Sequence, residues 1–337
     1  MSSESPQLKN LSAQRDFRRN LLRWYDQHKR DLPWRQDRDP YRVWVSEIML
    51  QQTRVAAVIG HYQKFLQRFP TIKGLAAARE AQVLAVWSGL GYYRRARMMH
   101  ATAKKIVKGH KGQFPTSAES LRALPGIGRY TSAAIASIAF DEPSAVVDGN
   151  VERVLGRLLG KQLPGEHAWA AAEELLSHRR PGDFNQAMME LGATVCLPKS
   201  PACLLCPVSS LCTTRGELPG RKKGTRQRKA VIHYGLNCRN GSVLLVQRPK
   251  DAPLMPGMWE LPELAAASAV SKTWLTLRHS ITMTDYDVRV LQEHGQRRDP
   301  RGTGAALSLG TWVARSRLTK LPLTGLARKI LRASSII

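Results

Sequence analysis

The 337-residue sequence predicts a mainly helical domain followed by a smaller α+β domain, and three observations carry that expectation. Apolar residues recur at helical spacing through the first two thirds of the chain. A strongly basic run, "GRKKGTRQRKA", then interrupts the pattern. Beyond it the apolar residues gather into short runs with strand character, "SVLLVQRP", "MWELPE", "YDVRVLQ" and "LSLGTWVARS".

The elements follow in order. The opening "MSSESPQLKN" has no apolar centre and is not a secretory signal, so residues 1–12 are expected to form a flexible tail. Arg42 to Phe69, "RVWVSEIMLQQTRVAAVIGHYQKFLQRF", reads as one long helical segment. "FPTIKGLAAA" and "FPTSAESLRAL" each open a further helix, and Thr116 and Glu119 have capping-box spacing. In "NVERVLGRLLG" the residues Val151, Val154, Leu155, Leu158 and Leu159 share one face, and the helix stops at Gly160. "GLGYYRRA" and "GIGRYTSA" begin 37 residues apart and read as two Gly-x-Gly turns joining helices. The helical domain is expected over 13–220, a basic linker over 221–229 and the α+β domain over 230–337.

Charge narrows the partners. Lys and Arg number 52 against 26 acidic residues, a formal net charge of +26. Such an excess favours polyanions, nucleic acid before membrane, because no basic amphipathic membrane helix stands out. No apolar run reaches the ~18 residues a membrane span needs. Four of the five cysteines are crowded at Cys196, Cys203, Cys206 and Cys212. Without a signal sequence the chain is expected in the cytoplasm, so this group reads as a metal site rather than a disulfide framework. The C-x6-C-x2-C-x5-C spacing suits tetrahedral zinc or a [4Fe–4S] cluster and leans to iron–sulfur. Cys238 reads as an ordinary small apolar residue of the second domain.

Three further groups of residues suggest chemistry. "LPGIGRYT" places Gly126 and Gly128 between two helices. Glycines let the backbone bend and come close to a ligand, and the next helix, expected near Tyr130, offers unpaired N–H groups to a phosphate. This is a helix-hairpin-helix pattern, which grips DNA backbone without reading bases. Glu47 falls on the apolar face of Val43, Trp44, Ile48 and Val55, where desolvation raises a carboxyl pKa and makes a proton donor near neutral pH; an internally paired Glu is the equal alternative. Asp148, in "AVVDGNVERV", opens an amphipathic helix. On its own it reads as an N-cap; paired with a neutral acid, a carboxylate held by a helix N-terminus is what glycosidic-bond cleavage needs.

Together these pieces resemble the helix-hairpin-helix DNA glycosylases of the endonuclease III superfamily, and within them the MutY-type adenine DNA glycosylases. The resemblance covers about residues 15 to 215 through "LPWR", "VSEIMLQQTRV", "GLGYYRRAR", "LPGIGRYT", "VVDGNVERV", "FNQAMMELGA" and the cysteine spacing. It implies a six-helix barrel module with a [4Fe–4S] module at 196–212, acting on double-stranded DNA as a monomer, away from membranes, near the nucleoid. The implied activity is removal of adenine opposite 8-oxoguanine or guanine. Glu47 would protonate adenine N7 and handle water, and Asp148 would stabilise the cationic sugar, supported by Tyr130 and Asn150. Trp34, Arg35, Leu50 and Gln186 match positions around the flipped adenine. Gln52 and Tyr92 match residues that wedge into the duplex, with Thr53 beside them, and Lys199 lies in the loop that presses on DNA. Tyr130 stands where lyase relatives carry a lysine, and a tyrosine forms no Schiff base, so the implied enzyme is monofunctional.

The second domain resembles the family's Nudix-like 8-oxoguanine-recognition domain. No R-E-x2-E-E box follows "PGMWELPE", so pyrophosphatase activity is not expected. The family's Phe-Ser-His is replaced by Ile281, Thr282 and Met283. Ser280, His279 and Thr282 are the candidate groups for 8-oxoguanine there, since a methionine cannot replace a histidine hydrogen bond. Competing readings are an endonuclease III-like lyase, a non-catalytic DNA-binding scaffold and a zinc-dependent regulator.

Overall fold

The computed structural model describes residue 8 and residues 10–218, 227–264, 273–292 and 310–337. Contacts divide the chain into two units, one of residues 1–76 with 101–222 and one of residues 77–100 with 223–337. The expected division at 220–230 therefore omits a segment. Residues 77–100 join the C-terminal unit because Ser88 Oγ and Tyr93 Oη donate to Leu323 O at 2.6 and 3.2 Å, and Arg97 donates to Pro256 O.

The first unit is helical. Helix α1 (Leu11–His28) starts inside the expected tail, capped by Asn10, whose side chain accepts from Ser12 N at 2.8 Å. Leu8 is buried in the same core, so Leu8 and residues 10–12 belong to the fold; residues 1–7 and 9 lie outside the described set. The single long helix expected over 42–69 is two, α2 (Pro40–Leu50) and α3 (Val55–Arg68). Asp39 caps α2 and Pro40 supplies its fixed first turn. The break falls at Gln52, whose φ of +54° no α-helix tolerates. Helical periodicity ran through it because both sides are apolar on one face.

Next in chain order come α4 (Ile72–Ala77), α5 (Glu80–Trp87), α6 (Tyr93–Gly109), α7 (Ala118–Arg122) and α8 (Arg129–Phe140), of which α5 and the start of α6 fall in the second unit. They are followed by α9 (Gly149–Leu159), α10 (Glu166–Leu175) and α11 (Pro181–Thr194). The cap of α7 is Ser117, accepting from Ser120 N, one residue beyond the expected Thr116. Phe17 and Leu21 of α1 join Val151, Val154, Leu155 and Leu158 of α9 and Phe184 and Leu191 of α11 in one buried cluster. Helix α11 lies close on α9: a Cβ on Gly192 would stand 2.6 Å from Asn150 Cβ.

The second unit adds α+β structure. Strands β1 (Arg228–Leu236), β5 (Glu263–Leu264), β6 (Thr273–Ile281) and β7 (Thr284–Gln292) form one sheet in the order β5-β1-β7-β6, with β1 and β7 parallel. Strands β2 (Cys238–Arg239), β3 (Ser242–Gln247), β4 (Trp259–Glu260) and β8 (Thr311–Ala314) form another around β3. Helices α12 (Arg315–Leu318) and α13 (Gly325–Ala333) complete the unit. Leu326, Ile330 and Leu331 of α13 close on Val243, Leu245, Val288 and Val290. "MWELPE" is two short strands, separated where Pro262 lends its carbonyl to Gly235 N. Strand β1 begins at Arg228, within the expected linker, and residues 221–226 lie outside the described set. Cys238 is exposed rather than a packing residue. Among the described residues no helix is long and apolar enough to cross a membrane.

Candidate active site

A cavity of about 730 Å³ opens in the first unit, lined by the C-terminal end of α2, the 51–54 break, and the N-terminal ends of α8 and α9 with one face of α11. It gathers Trp34, Arg35, Glu47, Leu50, Gln52, Thr53, Tyr130, Asp148, Asn150 and Gln186. Ten residues expected from scattered motifs thus meet in one place.

Glu47 sits on α2, 5% exposed. Val43, Trp44 and Ile48 are buried with it on that helix, whereas Val55 belongs to α3. Tyr130 Oη donates to Glu47 Oε2 at 2.7 Å, and Met189 Sδ lies 3.3 Å from the same hydroxyl. Burial pushes the Glu47 carboxyl from 4.5 up to about 7; the negative charge of Asp148 adds to the rise, while the Tyr130 hydrogen bond and Arg35 oppose it. Tyr130 is itself raised well above its ordinary value, chiefly by burial and then by the two carboxylates.

Asp148 caps α9 and faces the cavity at once. Its Oδ1 accepts from the backbone N–H of Asn150 and of Val151, each at 2.8 Å, and its Oδ2 accepts from Asn150 Nδ2 at 2.9 Å. Three N–H donors converge on this carboxylate, as a charged acceptor requires. Arg153, one turn on, donates to Asn150 Oδ1 at 2.8 Å, to Gly192 O at 2.7 Å and to Cys196 O at 2.9 Å. Asp148 is therefore the N-cap of α9 and at the same time part of the cavity wall.

Sequence reasoning missed the base of the cavity. Glu190 of α11, one turn beyond Gln186, is 1% exposed. It accepts from Arg30 Nε at 2.6 Å, Arg30 Nη2 at 2.8 Å and Arg35 Nη2 at 2.8 Å. Burial drives this carboxyl upward, but the hydrogen bonds from Arg30 and Arg35 outweigh it and hold the group at about 2. Arg35 also donates to Gln186 Oε1 at 3.2 Å. A Glu on the face marked by Gln186, with two arginines near "LPWR", was the available signal.

The hairpin of α7 and α8 carries Gly126 at φ +72°, left-handed as a glycine turn needs. Gly128 is extended and caps α8, which begins at Arg129, next to the expected Tyr130; among the described residues no side chain caps this end, and a Cβ there would meet nothing within 4 Å. The N–H groups stay open to an incoming anion. Lys199 is exposed between Cys196 and Cys203.

Among the described residues no three His, Cys, Asp or Glu side chains are placed to hold a metal ion. The four cysteines are nevertheless neighbours: burial, then Cys196, Cys212 and Cys203, push the Cys206 thiol up to about 11. Arg157 Nη1 points at Cys196 Sγ from 3.3 Å and Arg215 N at Cys212 Sγ from 3.4 Å. N–H donors aimed at two of the four sulfurs suit thiolate ligands, so the residues fit a cluster.

The remaining candidates belong to the second unit. Tyr92 precedes α6 and is exposed. Ser280 is the last residue but one of β6, and its hydroxyl donates to Asp285. Thr282 occupies the β6–β7 turn at φ +51° with its hydroxyl on Ile281 O, and Met283 beside it is half exposed.

Residues 45–176 match the HhH-GPD superfamily of base excision DNA repair proteins. Over a longer stretch the chain is similar to adenine DNA glycosylases. It is 45% identical to the adenine DNA glycosylase of Mus musculus over 311 residues, covering 74% of this chain and 60% of that protein. It is 51% identical to the Homo sapiens adenine DNA glycosylase over 214 residues, covering 59% of this chain and 39% of that protein. The chain thus spans less than two thirds of these relatives' length. Among solved structures, a thermostable thymine-DNA glycosylase superposes with a TM-score of 0.56 at 29% identity, covering 60% of this chain and 96% of that one. Endonuclease III, trapped on DNA, gives 0.52 at 22% identity over the same shares and shows a shared helical fold.

Proposed function

We propose that this chain is an adenine DNA glycosylase that flips adenine from an 8-oxoguanine or guanine mispair and hydrolyses its N-glycosidic bond, without strong lyase activity. The carrying observation is the pair of unlike carboxyls in one cavity: Glu47 at about 7, and Asp148 held by three N–H donors. Near neutral pH about half of Glu47 holds a proton to give to the leaving purine ring nitrogen. As the bond breaks, positive charge grows on the sugar, and Asp148 offsets it. Water completes the hydrolysis, and Glu47, now ionised, accepts its proton.

Trp34, Leu50, Arg35 and Gln186 supply an apolar wall and directional hydrogen bonds for an extruded base. Reaching N7 demands that the base leave the stack, at a cost of a few kcal/mol. Gln52 and Thr53, on the strained break between α2 and α3, and Tyr92 are assigned to opening the duplex, with Lys199 and the Gly126–Gly128 hairpin on phosphates. Tyr130 carries no amine, and no lysine lines the cavity among the described residues. Cys196, Cys203, Cys206 and Cys212 are assigned to a [4Fe–4S] cluster, which would staple the 196–212 loop. Ser280 and Thr282 are assigned to the 8-oxoguanine side, in a domain of Nudix-like kind.

The test is single-turnover base release from duplexes with adenine opposite 8-oxoguanine, guanine or thymine, with iron measured on the same sample. Adenine release from the first two, abolished in Glu47→Gln, is expected. Abundant borohydride-trapped enzyme would refute the monofunctional assignment.

A further inference from the structure

Tyr92 is held outward in a way that solvent alone does not explain. Its ring is 53% exposed, and its backbone takes φ +48°, a costly conformation for a bulky residue. The Arg95 guanidinium carbon lies 5.1 Å from the Tyr92 ring centroid and 5.6 Å from that of Trp87. Trp87 is fully buried, and its indole N–H donates to Gly91 O at 3.1 Å. Arg95 N donates to Tyr92 O at 2.8 Å. Backbone and side chain of the 91–95 turn are therefore tied to one buried indole. Arg95 gives up water for this place: burial pulls its guanidinium down to about 10.

We propose that Arg95 is a positioning residue, stacked between Trp87 and Tyr92 so that the Tyr92 ring is fixed in the pose that enters the DNA stack. This rests on the assignment of Tyr92 as a wedge. An unrestrained exposed tyrosine samples several rotamers and loses that freedom on insertion. A ring already fixed loses less, so affinity for the distorted duplex rises without any added contact to DNA. The planar guanidinium stacks on both rings, which an ammonium does not do.

The experiment uses the full chain labelled with 3-fluorotyrosine, the Tyr92 fluorine signal being identified by its loss in Tyr92→Phe. In Arg95→Leu and in Arg95→Lys the signal is expected to shift toward that of a solvent-averaged ring. Both variants should bind mispaired duplex about tenfold more weakly. Their base-release rate at saturating enzyme should stay within about threefold of the parent, since the chemistry at Glu47 is untouched. Adding Tyr92→Ala to Arg95→Leu should cost no more than Tyr92→Ala alone. An unmoved fluorine signal, or full affinity in Arg95→Lys, overturns the clamp. A moved signal with Tyr92→Ala binding as tightly as the parent overturns the wedge assignment and leaves the clamp standing. If Arg95→Leu does not fold, Arg95→Lys carries the same readings.

Discussion

Tyr130 Oη reaches Glu47 Oε2 at 2.7 Å, so the residue just past the glycine bend touches the buried acid on α2 directly. The relationship joins the Gly126–Gly128 hairpin to the buried carboxyl through a single side chain. It also sets how strongly Glu47 holds its proton, because a hydrogen bond to the charged form favours that form.

Removing the hydroxyl tests that balance. In Tyr130→Phe the carboxylate loses its donor while burial and Asp148 still push the pKa upward from about 7. The alkaline limb of the single-turnover rate should move to higher pH, by about one unit. Rate profiles between pH 6 and 9 on a mispaired duplex check it; a limb that moves down would contradict the assigned direction.

Glu47 should couple activity against stability. Its folded pKa, about 7, lies above the ordinary 4.5. The folded state therefore binds more protons than the unfolded one between those values. Stability from this group is fully present below about 4.5 and is lost as pH rises through about 7. In the parent, denaturant midpoints should fall between pH 5 and 8. Glu47→Gln carries no such charge and should flatten that fall. It should also lose base release by at least about 10²-fold. A variant both inactive and less stable at pH 8 would sink this account.

Glu190 titrates in the opposite sense. Held at about 2 by Arg30 and Arg35 against its burial, it stabilises the fold above its ordinary 4.5, and that contribution disappears as pH falls toward 2. Glu190→Gln leaves two arginines without their carboxylate, a change of the kind that costs about 3–5 kcal/mol. Chemical denaturation at pH 7 measures the loss, and the parent and variant curves should converge near pH 2.

Much of this site could be read from the sequence because its chemistry is local. Asp148 and Asn150 stand two residues apart at a helix start, and the Gly126–Gly128 bend advertises itself by composition. Glu47 was legible as a buried acid because it falls on an apolar helix face. Its partner was not, since Tyr130 comes near it only through the packing of α8 on α2. Glu190 was hidden for the same reason: its meaning depends on Arg30 and Arg35, 160 and 155 residues away in sequence. The split between α2 and α3 was invisible to periodicity, because Gln52 is no usual helix breaker and the apolar pattern continues beyond it. Strands β1 and β6 were missed because charged and polar residues interrupt their apolar ones.

Gly192 lies where α11 meets the start of α9, and a Cβ there would stand 2.6 Å from Asn150 Cβ and 3.1 Å from Asn150 O. Both obstacles are close to Asp148, whose Oδ2 depends on Asn150 Nδ2. Gly192 O also accepts from Arg153, which in turn holds Asn150 Oδ1. Gly192→Ala must therefore push the α9 N-terminus away or distort α11, and overpacking of this kind costs about 1–3 kcal/mol. Relaxation by outward movement of Asn150 takes the carboxylate with it, and a displacement of ~1 Å can cost ~10²-fold in rate. Base release should thus fall far more than the unfolding midpoint, while affinity for duplex DNA stays near the parent's. Equal losses in rate and stability would show that the glycine serves packing alone.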